Sequence, residues 1–227
     1  MEKPNIVRTA AAAKNPTRQC DDSHSTEAEA GKRLLGDQQA LLASWKDTLL
    51  KPCRVWSPAE LIADTNKVPL SPGVYGWWFR TPPSGVPLER TIENSFGRLL
   101  YIGIAGGRTG NRTLRDRLKN HLKGPIGSST LRRTLACLNV EELALEIGRH
   151  PTSGRLVMSS VDERKLSEWM AKETRVAWMT CDRPQEIEKD ILLRGPKLPL
   201  NIQGNAMPFA RHLSSIRANA GKQASRT

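Results

Sequence analysis

The chain has 227 residues, enough for one domain of ordinary size with a tail or for two small ones, and its hydrophobic fraction of 38% points to a part that does not fold. Lysine and arginine outnumber aspartate and glutamate by 35 to 23, a net charge of +12, so an acidic partner is the first to expect. Cys20, Cys53, Cys137 and Cys181 form no C-x-x-C pair, which argues against structural zinc and a disulfide framework, and neither a signal-peptide core nor an apolar run of the ~20 residues that span a bilayer is visible; a soluble cytoplasmic protein with no membrane partner is expected.

Residues 1–38 alternate small, polar and charged side chains without an apolar period and read as a disordered leader. A helical N-terminal extension is expected over 39–72. Its first helix uses Leu41, Leu42, Trp45, Leu49 and Leu50, and Ser57-Pro58-Ala59-Glu60 has the form of a second helix start, with proline at the first helical position. From Gly73 to Arg80 the chain is continuously apolar and rich in aromatics, as in a strand buried on both faces. Thr81 to Gly97, with its prolines and glycines, reads as a long loop, and Arg98 to Ala105 as a second buried strand broken by Gly106 to Gly110.

A helix follows from about 111 to 123, its core stripe marked by Leu114, Leu118 and Leu122. The next, from Ser128 or Ser129 to Leu138, is expected to bury Leu131 and Leu135 and to turn Arg132 and Arg133 outward. Short strands fit 143–147 and 156–158. Ser160-Val161-Asp162-Glu163 has the form of a capping box for a helix to about Glu173; a strand fits 175–180, and Asp182 with Pro184 and Gln185 opens a helix to Arg194 that Gly195-Pro196 stops. Residues 211–227 hold Arg211, Arg217, Lys222 and Arg226 and no acid, and are expected to form a basic flexible tail.

Charge is clustered. Residues 1–40 carry six basic and six acidic residues, so the whole excess lies beyond them. Between Arg98 and Arg133 nine basic residues face a single acid, Asp116. Arg112, Arg115, Lys119, Lys123, Arg132 and Arg133 are therefore the candidate nucleic-acid contacts.

The chain has only two tyrosines, and both sit in short glycine-bearing apolar runs, Gly73-Val74-Tyr75 and Tyr101-Ile102-Gly103. A buried phenol needs a partner for its hydroxyl, which makes it a poor filler. Arg117 and His121 are four apart on one helical face beside the leucine stripe. Glu188 stands between Ile187 and the Ile191/Leu192 pair, at the edge of an apolar face, whereas Glu186 points away from it. Cleaving a phosphodiester needs an activated water, a neutraliser for the phosphorus oxygens and help for the departing oxygen. Arg117 suits phosphate oxygens, Glu188 can hold Mg²⁺ or Mn²⁺, and Tyr75, Tyr101 and His121 can relay protons or orient water. Singly each has an ordinary role as a strand tyrosine, a solvated charge or an edge histidine; their order and spacing are what count. Gly103-Ile104-Ala105-Gly106-Gly107 invites a nucleotide-loop reading but lacks the G-x-G-x-x-G spacing and a following Gly-Lys-Ser/Thr.

In that order, Tyr75, Tyr101, Arg117, His121, Glu188 and Asn201 resemble the signature of the GIY-YIG nuclease superfamily, over about Gly73 to Asn205. Val74 stands where isoleucine is usual. Gly73, Gly103 and Asn201, the last in Leu198-Pro199-Leu200-Asn201, match positions of the structural motif. The resemblance implies a mixed α/β (α+β) fold over 73–210, a small three-stranded sheet flanked by helices, with a helical insertion at about 126–182. It also implies one divalent metal held by Glu188, Mg²⁺ or Mn²⁺, with Arg117 on the phosphate, the first tyrosine or a neighbour as base, and DNA as the substrate hydrolysed. The rival reading is a nucleic-acid-binding module that keeps the fold without cleaving.

Overall fold

Every residue from Gly73 to Phe79 is buried, as the unbroken apolar run demands, and this segment forms the spine of the domain. The computed structural model describes residues 45–106 and 112–223. The leader over 1–38, the helix positions Leu41 and Leu42 and most of the break before Leu114 lie outside those residues. A π-helical turn, Lys46–Leu50, precedes α1 (Pro58–Ala63), where Ser57 and Glu60 form the expected capping box. Then come β1 (Gly73–Phe79), β2 (Ile92–Asn94), β3 (Gly97–Ala105), α2 (Leu114–Lys123), α3 (Thr130–Leu138), β4 (Ile147–Arg149) and β5 (Leu156–Met158). They are followed by α4 (Ser160–Glu173), β6 (Thr174–Thr180), α5 (Pro184–Arg194) and α6 (Pro208–Gln223).

The main sheet has the order β2-β3-β1-β6, with antiparallel pairing throughout, and β4 and β5 make a separate hairpin. It thus has four strands where three were expected. The fourth arises because the Thr81–Gly97 segment, read as a loop, contributes the edge strand β2. The insertion expected over 126–182 needs correction as well. Its last seven residues before Cys181 are β6, which pairs with the whole length of β1 from Gly73↔Thr180 to Phe79↔Thr174, so they are part of the sheet itself.

Alternation along the strands divides the core in two. Tyr75, Trp77, Phe79 and Tyr101 belong to one face, packed with Leu114, Leu118 and Leu122 of α2, Leu131 and Leu135 of α3, Leu166 of α4 and Leu213 of α6. Val74, Trp78, Leu99 and Ile102 belong to the other, covered by Ile187 and Ile191 of α5 and by Trp45 and Leu49. In place of the flexible tail expected from 211, α6 runs to Gln223 and buries Ala210 and Leu213, with Phe209, Ile216 and Ala220 packed on the first face. No described helix is long and apolar enough to cross a membrane.

Candidate active site

The antiparallel register of β1 and β3 sets Tyr75 opposite Gly103 and Trp77 opposite Tyr101. A bulge after Trp77 shifts that register, so Leu100 and Tyr101 fall on the same face although they are neighbours in the chain. Both phenols therefore enter the core beneath α2. The glycines of the two motifs follow from close approach. A Cβ on Gly103 would collide with the phenol ring and hydroxyl of Tyr75, and one on Gly73 would collide with the Met179 carbonyl oxygen of β6.

Helix α2 starts at a capping box in which Thr113 accepts from the Asp116 N–H, so the one acid of the basic stretch is a capping residue. Its phase turns His121 fully into the core, with no exposed surface. Three rings box the imidazole: Tyr75 at 5.4 Å between centroids, Trp77 edge-on at 6.1 Å and Tyr101 edge-on at 6.2 Å. Both ring nitrogens are partnered. Nε2 shares a 2.6 Å hydrogen bond with the Tyr75 hydroxyl and Nδ1 a 2.7 Å bond with the Ser129 hydroxyl. Ser129 in turn caps α3 by accepting from the Arg132 N–H. Burial, reinforced by the Arg117 and Arg132 guanidinium groups, pulls the His121 pKa down to about 3, so the ring is neutral at physiological pH.

Tyr75, Tyr101, Arg117 and Glu188 lie in one electrostatic neighbourhood. Burial pushes Tyr75 well above the ordinary phenol value and Tyr101 beside it adds to the rise, while Arg117 opposes both. Tyr101 is raised by burial, lowered by Arg117 and raised again by Glu188. The half-buried Glu188 carboxyl is raised by desolvation and held back by Arg117. The Arg117 Nε is buried and has no hydrogen-bond partner among the described residues. A buried guanidinium Nε without a partner, acting electrostatically on two phenols and a carboxylate, is suited to an incoming anion. Glu186, two residues from Glu188, instead pairs with Arg183 at 3.4 Å.

Asn201 has a structural post. Beyond Leu99 the outer edge of β3 is no longer covered by β2. Here the Asn201 side chain accepts from the Ile102 N–H and donates to the Ile102 carbonyl, both at 2.9 Å, while the Leu200 N–H donates to the Leu100 carbonyl. One amide side chain thereby replaces a missing strand between Tyr101 and Gly103.

The expected nucleic-acid contacts divide. Arg112, Lys119 and Lys123 line one cavity of about 360 Å³ on the open side of α2. Arg115 is occupied, its guanidinium donating to the carbonyls of Val68 and Asn66 and to the Asn66 side chain. Arg132, expected to point outward, is buried: its side chain is 1% exposed and pairs with Glu163 at 2.6 Å, which removes it from any nucleic-acid surface. Arg133 is half-buried and donates to the Ile126 and Gly127 carbonyls. Sequence reasoning missed Ser129, whose place in the Ser128-Ser129 helix start was legible but whose link to His121 was not. Arg217, one of the basic residues of the expected tail, lies in α6.

Among the described residues no cluster of three histidine, cysteine, aspartate or glutamate side chains could hold a metal ion. Glu188 offers a single carboxylate. That fits a hard cation of the magnesium type, which keeps several waters and takes its remaining oxygens from a substrate phosphate.

No curated protein and no solved structure gave a significant match to the chain. The family described as the GIY-YIG catalytic domain matches residues 73–219, from the first motif glycine into α6 and well over half of the chain. The match begins at β1 and takes in both tyrosine motifs, α2, β6 and α5, so the chain belongs to the GIY-YIG catalytic domain family.

Proposed function

We propose that the protein is a metal-dependent DNA endonuclease that hydrolyses phosphodiester bonds at the site formed by Tyr75, Tyr101, Arg117, His121 and Glu188. The observation that carries this reading is the hydrogen bond between the Tyr75 hydroxyl and a neutral His121. A phenol with a raised pKa is a poor base alone. Its hydrogen bond to the neutral imidazole fixes the direction of the hydroxyl and leaves the phenol oxygen to orient an incoming water. In this scheme the Tyr75 oxygen, with its own proton directed at Nε2 of His121, accepts a hydrogen bond from the attacking water; the water oxygen attacks phosphorus, its proton passes to a phosphate oxygen, and the P–O bond to the departing oxygen breaks. Arg117, with its unpartnered Nε, receives the phosphate oxygens and stabilises the charge that grows on them. Tyr101 orients the phosphate or the water. Glu188 would hold Mg²⁺ or Mn²⁺, which when bound neutralises phosphate charge and assists the departing oxygen. A cytoplasmic setting belongs to the same proposal, supported by the free thiols Cys53, Cys137 and Cys181.

Incubation with supercoiled plasmid, in Mg²⁺, in Mn²⁺ and with chelator, tests the proposal. Open circles that form only with metal are expected. Binding with no cleavage in either metal would replace it with a non-cleaving nucleic-acid-binding module.

A further inference from the structure

A second group of arginines lies on the α6 side of the domain. A cavity of about 460 Å³ is lined by Arg133 of α3, Arg149 of β4, Arg155 at the entry to β5 and Arg217 of α6, and no carboxylate lines it. Arg133 is fixed by neutral groups, the Ile126 and Gly127 carbonyls, and Arg149 donates to the Gly154 carbonyl. Such bonds orient a guanidinium without cancelling its charge. Arg132, the immediate neighbour of Arg133, is by contrast fully neutralised by Glu163. Among the described residues, Arg133, Arg155 and Arg217 have no carboxylate within ion-pair distance. Arg217 is itself half-buried, and burial together with the charge of Arg133 weakens its hold on its proton. Gathering like charges in a partly desolvated recess is unfavourable unless an anion joins them.

The walls indicate what kind of anion. Apart from arginine they consist of Gly154, Leu156, Ser214 and Ala218, with no aromatic ring on which a base could stack. Such a recess recognises phosphate and is indifferent to the base attached to it. Helix α6, which carries Arg217, packs Leu213 and Ile216 on the core face that holds Tyr75 and Tyr101, and the Arg217 charge acts on Tyr101.

We infer that this four-arginine cavity receives a backbone phosphate of the DNA strand being cut, flanking the scissile phosphate, and so directs that strand along α6. The inference rests on the endonuclease reading and adds to it the path of the substrate.

The test measures duplex DNA affinity against salt concentration for Glu188→Gln protein, alone and with Arg155→Gln plus Arg217→Gln. Losing one phosphate contact should reduce the slope of log affinity against log salt by about 0.9, with affinity falling alike for unrelated sequences. Arg155→Gln alone, at an exposed position, should give part of that loss, and thermal unfolding checks that each variant folds. An unchanged slope and affinity overturn the inference. So does a wild-type melting temperature raised by pyrophosphate, and lost in the variants, with DNA binding unaltered, since the cavity would then hold a small anion. Wild-type plasmid nicking separates the two readings. Nicking with an unchanged slope sinks only the cavity assignment, whereas absence of nicking in Mg²⁺ and Mn²⁺ sinks both.

Discussion

The Tyr75 hydroxyl and Nε2 of His121, 46 residues apart in the chain, lie 2.6 Å apart in the core of the domain. The bond joins the middle of the spine strand to the last turn of α2, and Ser129 continues it to the start of α3. A phenol, an imidazole and a hydroxyl joined through three elements hold the Tyr75 hydroxyl in one direction while the imidazole stays neutral.

Tyr75→Phe removes one hydroxyl and keeps the ring. It leaves the buried Nε2 of His121 without its partner and should lower stability by about 1–3 kcal/mol and single-turnover cleavage by about two orders of magnitude or more. Tyr101→Phe should slow cleavage less, because water can partly replace a positioning hydroxyl, and Arg117→Ala should be as severe as Tyr75→Phe with DNA binding largely kept. Rapid-quench measurements on a labelled duplex separate these. Near-normal cleavage by the Tyr75→Phe, Tyr101→Phe double variant would remove both phenols from the chemistry.

Stability should fall on acidification through His121. Its folded pKa of about 3 lies below the ordinary 6.5, so the native protein keeps the ring neutral while the unfolded chain takes up a proton. Between those values the unfolded state binds more protons. The contribution is complete above about pH 6.5 and shrinks as the pH drops, by up to about 1.4 kcal/mol per pH unit. Urea unfolding at pH 7.5, 6 and 5 should show the gap between wild type and His121→Gln narrowing. A constant gap would mean that the histidine titrates as if exposed.

Asn201→Leu leaves the Ile102 N–H and carbonyl without partners at the edge of β3 and should cost roughly 2–4 kcal/mol. Asn201→Asp keeps the acceptor for the N–H and sets a carboxylate against the carbonyl, so it should not restore stability. Denaturant midpoints at unchanged m-value would check both. A loss below about 0.5 kcal/mol for Asn201→Leu would contradict the edge-covering role.

Arg132 and Glu163 provide a contrast with the surface cations. Glu163→Gln leaves a buried guanidinium without its counter-charge, and because Glu163 is itself partly exposed the cost should sit near the low end of such disruptions, about 3 kcal/mol. The salt dependence of DNA binding should be unchanged. Replacing Arg112, just before α2, and Lys119 on its open face should do the reverse, reducing the slope with little loss of stability.

Much of this was legible in the sequence. The runs at Gly73–Arg80 and Arg98–Ala105 are too apolar for anything but buried strands, and the leucines of α2 fixed its phase, which set Arg117 and His121 beside the stripe; the complete enclosure of His121 by Tyr75, Trp77 and Tyr101 needed the fold. Arg132 was misread because a charge beside Leu131 and Leu135 defaults to solvent. Helix α3 is enclosed widely enough to bury Arg132, Thr134, Ala136 and Cys137 as well, and the partner that permits it, Glu163, is 31 residues away. The strand at β6 was visible, but its pairing with β1 spans about a hundred residues, a relationship that no local pattern carries. Helix α6 was missed because its apolar positions, Leu213, Ile216 and Ala220, are sparse among polar and basic ones. The glycine at 103 was seen as part of a motif. Its cause, the Tyr75 ring lying across it, needed the register.

The most direct test of the account compares cleavage by wild type, Glu188→Gln and Glu186→Gln across a Mg²⁺ titration, with DNA affinity measured alongside. Glu188→Gln keeps the shape of the side chain and loses the charge that would hold a hard cation. It is predicted to abolish metal-dependent cleavage at every Mg²⁺ concentration while binding DNA at least as well as wild type, and Glu186→Gln should cleave normally. Full cleavage by Glu188→Gln, or loss of cleavage in Glu186→Gln instead, would contradict it.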